Sequence, residues 1–522
     1  MKQKTGSTPK RPYCYGSCIP TGTLPAPNTK SILKERLNLS CKKIFITKEN
    51  EMTAEILPVQ APKKPQYKKV LGALDTFLFT ICALLFVDTV APMASMGPTA
   101  ITWFVILVIL FFIPYGLIVA ELGSTYPEQG GIYAWVKRAF GNKWGARTSW
   151  LYWVNMALWV PSSYIFLAGL FSQLFFPGMS LVWIIVLGLV FTWLMVLLGI
   201  INLGESKWVV NVASVLKIVL ILGIILAGII YVLNGSAPQN DVSLGGITPV
   251  WGDALFFLPA IIYSLLGFEM MSGASEEMKN PKRDVPRAII TAALFIGVVY
   301  TLAIRSMLVV IPVDSLGLIT GMMDTFWAVF GTSGIGGVIA FIFGLFALYA
   351  IFAQTVSWAI GTVRTSAQAG QDGELPAFFG KLRSSNQAPI GSLLLTGIVA
   401  SVVLIIYGFL ATNAEDLFWT LFAFSSILFF IPYAILFPAF LALRVKDKAQ
   451  ERAYKVPGGT VVGFILAIIC EIIIIGGIIF FIYVPGEPID WAYAGPVLIG
   501  IVVTLIIGEI LLLVQGRKNK VA

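Results

Sequence analysis

The feature that most constrains this chain is a succession of apolar runs, each about 20 residues long and nearly free of charge. Within each run the apolar residues are continuous instead of alternating, so the runs read as helices and not as strands. The chain is 57% hydrophobic and 12% charged, with a mean hydropathy of +0.85. That leaves too little polar surface to cover a soluble fold, so the solvent for most of the chain is lipid. In lipid every backbone amide needs an internal partner, which a helix supplies.

The pattern predicts an all-α membrane protein of twelve transmembrane helices, over roughly 72–96, 99–122, 145–176, 181–201, 208–233, 252–274, 288–312, 334–363, 389–411, 415–443, 460–484 and 491–515. Charge supports this count. The loops near 177–180, 234–251, 313–333, 412–416 and 485–490 contain no Lys or Arg. The alternate loops carry Lys137, Arg138, Lys143, Lys279, Lys282, Arg283, Arg287, Lys381, Arg383, Arg444, Lys446, Lys448, Arg452 and Lys455. Lys and Arg gather on the cytoplasmic side, so both termini are expected in the cytoplasm of a cell with this protein in its inner membrane. The net charge of +9 follows from that orientation and not from a nucleic acid or other acidic partner.

The chain has no His and five Cys. Histidine-based metal sites and catalysis are thereby excluded. Cys82 and Cys470 fall in spans, where a thiol acts as a small hydrophobe. No GxxxxGK[ST] phosphate loop is present to drive transport with ATP. No Asp/Glu cluster suits acid–base or metal catalysis, so an enzyme is not expected, nor a cofactor or metal. Residues 1–67 are polar and rich in Pro and Lys, without a signal peptide, and Cys14, Cys18 and Cys41 lack a fourth metal ligand. This tail is expected to be disordered, with Met52 as an alternative start of translation and residues 1–51 dispensable.

Two spans, five apart, are interrupted. The first reads FVDTVAPMASMG, with Asp88, Pro92 and Gly97; the sixth reads YSLLGFEMMSGASEE, with Gly267, Glu269, Ser272 and Gly273. Each mixes Gly or Pro with an acid at membrane depth. Broken helices in matching positions mark the binding site of carriers built from repeats, because they free backbone groups for ions and ligand charges.

The segment GFEMMSGASEEMKNPKRDVPRAI, 267–289, resembles the signature of the amino acid–polyamine–organocation superfamily, and AELGSTYPEQGGIYAWVKRAFG, 120–141, resembles its first cytoplasmic loop. The stretches FIPYGL at 112–117, SWAIG at 357–361 and YKVPGG at 454–459 are most similar to the glutamate/γ-aminobutyrate antiporter branch. The resemblance covers about 70–515. It implies a five-plus-five inverted repeat with broken helices 1 and 6, plus two extra helices. The repeats then span 68–233 and 234–443, with helices 11 and 12 in 444–522.

An ionisable group inside a span costs about 2.5–3.5 kcal/mol on insertion scales, so each is a functional candidate. Those placed deeply are Asp88, Lys217, Glu269, Arg305, Glu471 and Glu509, the last two outside the repeats. The resemblance implies that Gly267, Phe268 and Glu269 bind a substrate amino group, with Glu269 also a candidate proton carrier. It implies that Lys217 stands in place of a sodium ion and holds the first broken helix by its carbonyls; the alternative for Lys217 is snorkelling to the surface. It also makes Trp358, Tyr263, Phe429 and Tyr433 pocket aromatics, with Phe429 replacing a tyrosine of relatives. Plain packing is the alternative for each of them. The glutamate antiporter has an acid at the position of Gln354, so glutamate is a poor fit as substrate. Asp88 stands where those relatives have a tyrosine, and Thr89 where they have an acid. The added anion at 88 points to cargo with a second positive charge or without a carboxylate.

The expected function is secondary transport of amino acids or their amine derivatives as an antiporter. The alternatives are a proton-coupled amino acid symporter and, in another class, a non-transporting sensor or subunit. The expected partners are a small-molecule substrate, protons as coupling ions, the lipid bilayer, and at most a second copy as a homodimer.

Overall fold

The computed structural model describes residues 73–521, except 128–129, 202–206 and 271–279. Ser272, Gly273 and the centre of the 267–289 signature lie outside the described residues, as does the tail. The described residues form helices and turns without a β-strand.

The first expected span is α1 (Ala73–Leu84), a non-helical step at Leu85 and Phe86, a 3-10 turn at Val87–Thr89 and α2 (Val90–Ala94). The break thus precedes Asp88 directly; Pro92 lies inside α2 and breaks nothing, and Gly97 only ends the span. The second span is α3 (Thr99–Leu107), a π-helical turn at Val108–Phe112 and α4 (Ile113–Thr125). Then follow α5 (Ile132–Phe140), α6 (Asn142–Phe175), α7 (Leu181–Ile200) and α8 (Lys207–Leu233). The sixth span position holds α9 (Leu258–Ser264), and after it come α10 (Pro281–Val310), α11 (Gly321–Phe330) and α12 (Gly334–Gln371). The chain continues through α13 (Ile390–Gly408), α14 (Ala414–Lys446), α15 (Gly459–Phe480) and α16 (Trp491–Val521).

Among the described residues, eleven helices are long and apolar enough to cross a membrane. The sixth expected span is not among them: its apolar helical stretch is Ala254–Ser264, which is too short. Helices α5 and α11 fall within segments read from the sequence as loops. The segment read as the first cytoplasmic loop begins inside the membrane span, since α4 runs on to Thr125.

Burial orders the helices. The apolar window of α6 is 89% buried and that of α1–α2 is 83% buried, against 28% for α15 and 22% for α16. The core therefore surrounds the first span and α6, and α6 packs most extensively on α14. Outer helices turn one apolar face to lipid, as α7 does with Val182, Trp183, Val186 and Val190. Lipid gives no hydrophobic push between helices, so close contact rests on small residues. At Gly228 of α8 an added Cβ meets Ser306 Cβ of α10 at 2.6 Å, so these two helices meet where only glycine fits.

Candidate functional site

A helix that stops inside a membrane leaves its last carbonyls and the next amides without partners, and each must be satisfied. At the first break this happens through three side chains from distant helices. Lys217 Nζ of α8 donates to Cys82 O at 2.6 Å. Trp358 Nε1 of α12 donates to Ala83 O at 3.1 Å. The Tyr300 hydroxyl of α10 accepts from Phe86 N at 2.5 Å and lies 3.0 Å from Phe86 O, to which it donates. Thr89 Oγ1 also donates to Phe86 O, at 2.8 Å, so this hydroxyl caps the break.

Lys217 is fully buried, and its second partner is Gln354 Oε1. It reaches inward to the break and does not snorkel. Asp88 sits two residues past Phe86 and is also buried, yet its Oδ1 has no hydrogen-bond partner. Gln354 Nε2 and Trp159 Nε1 are likewise buried without a partner. Asp88 and Gln354 face each other without closing a hydrogen bond within 3.5 Å, so the first break holds buried polar atoms that a ligand could still meet.

The second break follows α9. Leu265 N and Leu266 N close tight turns onto Ile262 O and Tyr263 O. Gly267 then adopts φ +126°, a conformation that favours glycine, and an added Cβ there meets the Trp358 ring at 3.0 Å. The Tyr115 hydroxyl of α4 accepts from Gly267 N at 3.2 Å and Phe268 N at 3.0 Å. It donates to Glu269 Oε2 at 2.5 Å. Tyr152 of α6 and Tyr433 of α14 both donate to Glu269 Oε1, each at 2.7 Å. Both oxygens of Glu269 are therefore occupied, in contrast to Asp88.

Between the two breaks runs an aromatic wall. The Phe86 ring lies 5.4 Å from Tyr263, 5.9 Å from Trp358 and 6.0 Å from Trp159. Phe429 lies 5.8 Å from Trp358, 5.6 Å from Tyr263 and 5.0 Å from Tyr433. The structure thus brings Asp88, Thr89, Lys217, Tyr263, Gly267, Phe268, Glu269, Trp358, Phe429 and Tyr433 to the two breaks. Such a surface gives a cation both an anion and aromatic faces.

The sequence model of the amino acid permease family matches residues 71–507, and this stretch includes both breaks and every residue just named. The chain belongs to the amino acid permease family. A probable agmatine/putrescine antiporter of Lactococcus lactis subsp. lactis is 32% identical over 453 residues, which cover 85% of this chain and 95% of that protein. An uncharacterized transporter of Legionella pneumophila is 27% identical over 462 residues, 82% of this chain and 97% of the relative. A glutamate/γ-aminobutyrate antiporter of L. lactis is 23% identical over 390 residues, 69% of this chain and 74% of the relative.

Other charged residues of this permease lie away from the breaks. Arg305 is exposed on α10, five residues before its end, and so is no partner for Asp88. Glu509 of α16 pairs with Arg147 of α6 at 2.5 Å, which ties a peripheral helix to the core. Glu471 is half-buried on α15. One buried acid lies where the expected second span, 99–122, overlaps the segment that resembles the first cytoplasmic loop. Glu121 of α4 is fully buried and accepts from Arg444 Nε at 2.9 Å, Arg452 Nη1 at 3.1 Å and Val456 N at 2.8 Å. Near it, outside the membrane, the Arg138 guanidinium holds the Asp447 carboxyl below the usual carboxylate range.

Tyr115, Tyr152 and Tyr300, with Phe86 and Trp159 of the aromatic wall, are the site residues that the sequence does not single out. The signal for Tyr115 was available in FIPYGL, where the π-turn at Val108–Phe112 shifts the helix register just before it.

Proposed function

We propose that this permease is a secondary antiporter that exchanges amino acids or their amine derivatives across the cell membrane by alternating access, and that its preferred cargo is a cationic amine met by Asp88. The observation that carries the second half is the Asp88 carboxylate. It is buried, it has an open oxygen, and no basic side chain among the described residues lies within 4 Å of it. A carboxylate at membrane depth needs a cation. Lys217 is near enough for its charge to act on Asp88, but its ammonium is bonded to Cys82 O and Gln354 and makes no ion pair with the carboxylate, and Arg305 is exposed; the open oxygen is therefore left for a cation of the cargo. The family match and the antiporter named for agmatine and putrescine support the exchange of amines.

On this reading the aromatic wall of Phe86, Tyr263, Trp358 and Phe429 covers the apolar part of the cargo. Glu269, held by three phenols, fixes the second break and serves coupling. Lys217 takes a sodium ion's place at the first. The two five-helix repeats then occupy 68–233 and 234–443, and the Lys- and Arg-free loops lie outside the cell with both termini inside.

The test is counterflow into proteoliposomes. Asp88→Asn should lower kcat/KM for putrescine and agmatine by a factor equivalent to about 2–5 kcal/mol, the usual cost of losing a desolvated charge pair. Neutral amino acids should lose far less. Equal losses for both classes would assign Asp88 to the scaffold.

A further inference from the structure

We propose that this site excludes cargo bearing a carboxylate, and that Asp88 and Tyr115 are the residues that exclude it. This deepens, and rests on, the reading of the protein as an exchanger of amines. The argument starts from what a broken span offers. The amides that open the second half of such a span point into the break, and the helix beyond them adds positive potential. In a carrier these freed amides are the natural receptor for a carboxylate.

Here the leading amides of that receptor are taken from within at both breaks, by the same arrangement. At the first, the Phe86 amide is taken by the Tyr300 hydroxyl, and two residues later Asp88 brings its own carboxylate into the opening turn of the following helix. At the second, the Gly267 and Phe268 amides are taken by the Tyr115 hydroxyl, and two residues after Gly267 stands Glu269. Tyr115 has spent its only hydrogen on Glu269 Oε2, so it presents no donor to an incoming anion. A substrate carboxylate at either break therefore meets a buried anion and finds the Phe86, Gly267 and Phe268 amides already bonded. An amine of the same carbon skeleton meets the open oxygen of Asp88, while the Lys217 ammonium there is already held by Cys82 O and Gln354.

Two pairs of compounds isolate this one group: agmatine against arginine, and putrescine against ornithine. Each pair differs by a single carboxylate. The full-length protein is reconstituted, and kcat/KM is measured for all four as competing substrates. The wild type should favour each amine by about 100-fold or more, since like charges forced together in a desolvated site forfeit about two decades of affinity. Asp88→Asn should cut that ratio at least about tenfold, in part by a lower KM for the amino acid. Tyr115→Phe, which frees two amides, should also lower the amino acid KM. A gain of acceptance cannot come from misfolding.

A wild type that favours the amines, with the ratio unchanged in both variants, overturns the proposal and leaves the amine reading intact. A wild type that takes arginine as well as agmatine overturns the proposal too. A wild type that exchanges neutral amino acids and neither amine overturns the amine reading and the proposal with it.

Discussion

Replacing Lys217 by Ala separates its role in transport from its role in folding. The ammonium is fully buried and donates to Cys82 O, the first orphan carbonyl of the broken span, and to Gln354 Oε1. Each charge-assisted hydrogen bond contributes about 1.5–3 kcal/mol, so their joint loss is worth about 3–6 kcal/mol. Against this stands the desolvation of a buried ammonium, several kcal/mol that the variant no longer bears. The two terms nearly cancel, and the net change in stability should be no more than about 2 kcal/mol. The local effect does not cancel, because Cys82 O loses its donor and α1 loses its tie to α8. Exchange in sodium-free proteoliposomes should therefore be robust for the wild type and fall by about tenfold or more for Lys217→Ala, equivalent to at least one of those bonds. Thermal unfolding in detergent should shift by only a few degrees. A strict sodium requirement in the wild type would refute the reasoning, and so would normal turnover in the variant.

Trp358 joins both breaks, by its bond to Ala83 O and its ring against Gly267. Trp358→Phe should keep the wall and lose about 1–2 kcal/mol of stability with the Ala83 carbonyl unpaired; Trp358→Ala should also weaken cargo binding by about 1–3 kcal/mol, read by scintillation proximity. Glu121→Gln leaves two buried guanidinium groups facing a neutral amide and should cost about 3–5 kcal/mol, with partial recovery when Arg452 is neutralised as well. Unchanged detergent stability of the single variant would remove the cluster from the scaffold. For topology, a cysteine at Ser243 should react with an impermeant maleimide from outside the cell and one at Ser384 should not; the reverse pattern would invert the protein in its membrane.

Much of the fold was legible because lipid imposes it. Apolar runs long enough to cross a bilayer admit few readings, and eleven of the twelve expected spans are present as such helices. Of the sixth, the described residues show a short apolar helix ending at Ser264 and the turn to Gly267, and 271–279 lie outside them. Asp88, Lys217 and Glu269 were legible for the same reason, since a charge at depth stands out against apolar neighbours. The tyrosines were not. Aromatics make up 13% of the chain, and Tyr115, Tyr152 and Tyr300 differ from packing residues only in where one hydroxyl points. That direction depends on helix register, which for Tyr115 the π-turn at Val108–Phe112 alters without any sign in the hydropathy pattern. Arg305 and Glu121 both lie inside their expected spans, and hydropathy does not say which face of the helix a charge takes. Arg305 is exposed near the end of α10, whereas Glu121 is sealed inside α4 by Arg444 and Arg452.

The two breaks are alike in construction and unlike in what they leave open. At each, a tyrosine hydroxyl takes the freed amides and a carboxylate follows two residues on. At the second break the carboxylate is saturated by three phenols, so that end is rigid. At the first, the carboxylate keeps an open oxygen, and the backbone is held by donors from α8, α10 and α12. Any motion that draws α1 away from these helices breaks several hydrogen bonds together, at about 0.5–1.5 kcal/mol net for each neutral one and more for that of Lys217. Cargo can shift such an equilibrium only by binding one arrangement better than the other. On the proposed reading an ammonium on Asp88 would do so at the break that has a free group to offer, and Trp358, bonded to Ala83 and packed on Gly267, joins the two broken spans. Occupancy and movement are then linked through one carboxylate, which is why its removal should affect cargo selection before it affects folding.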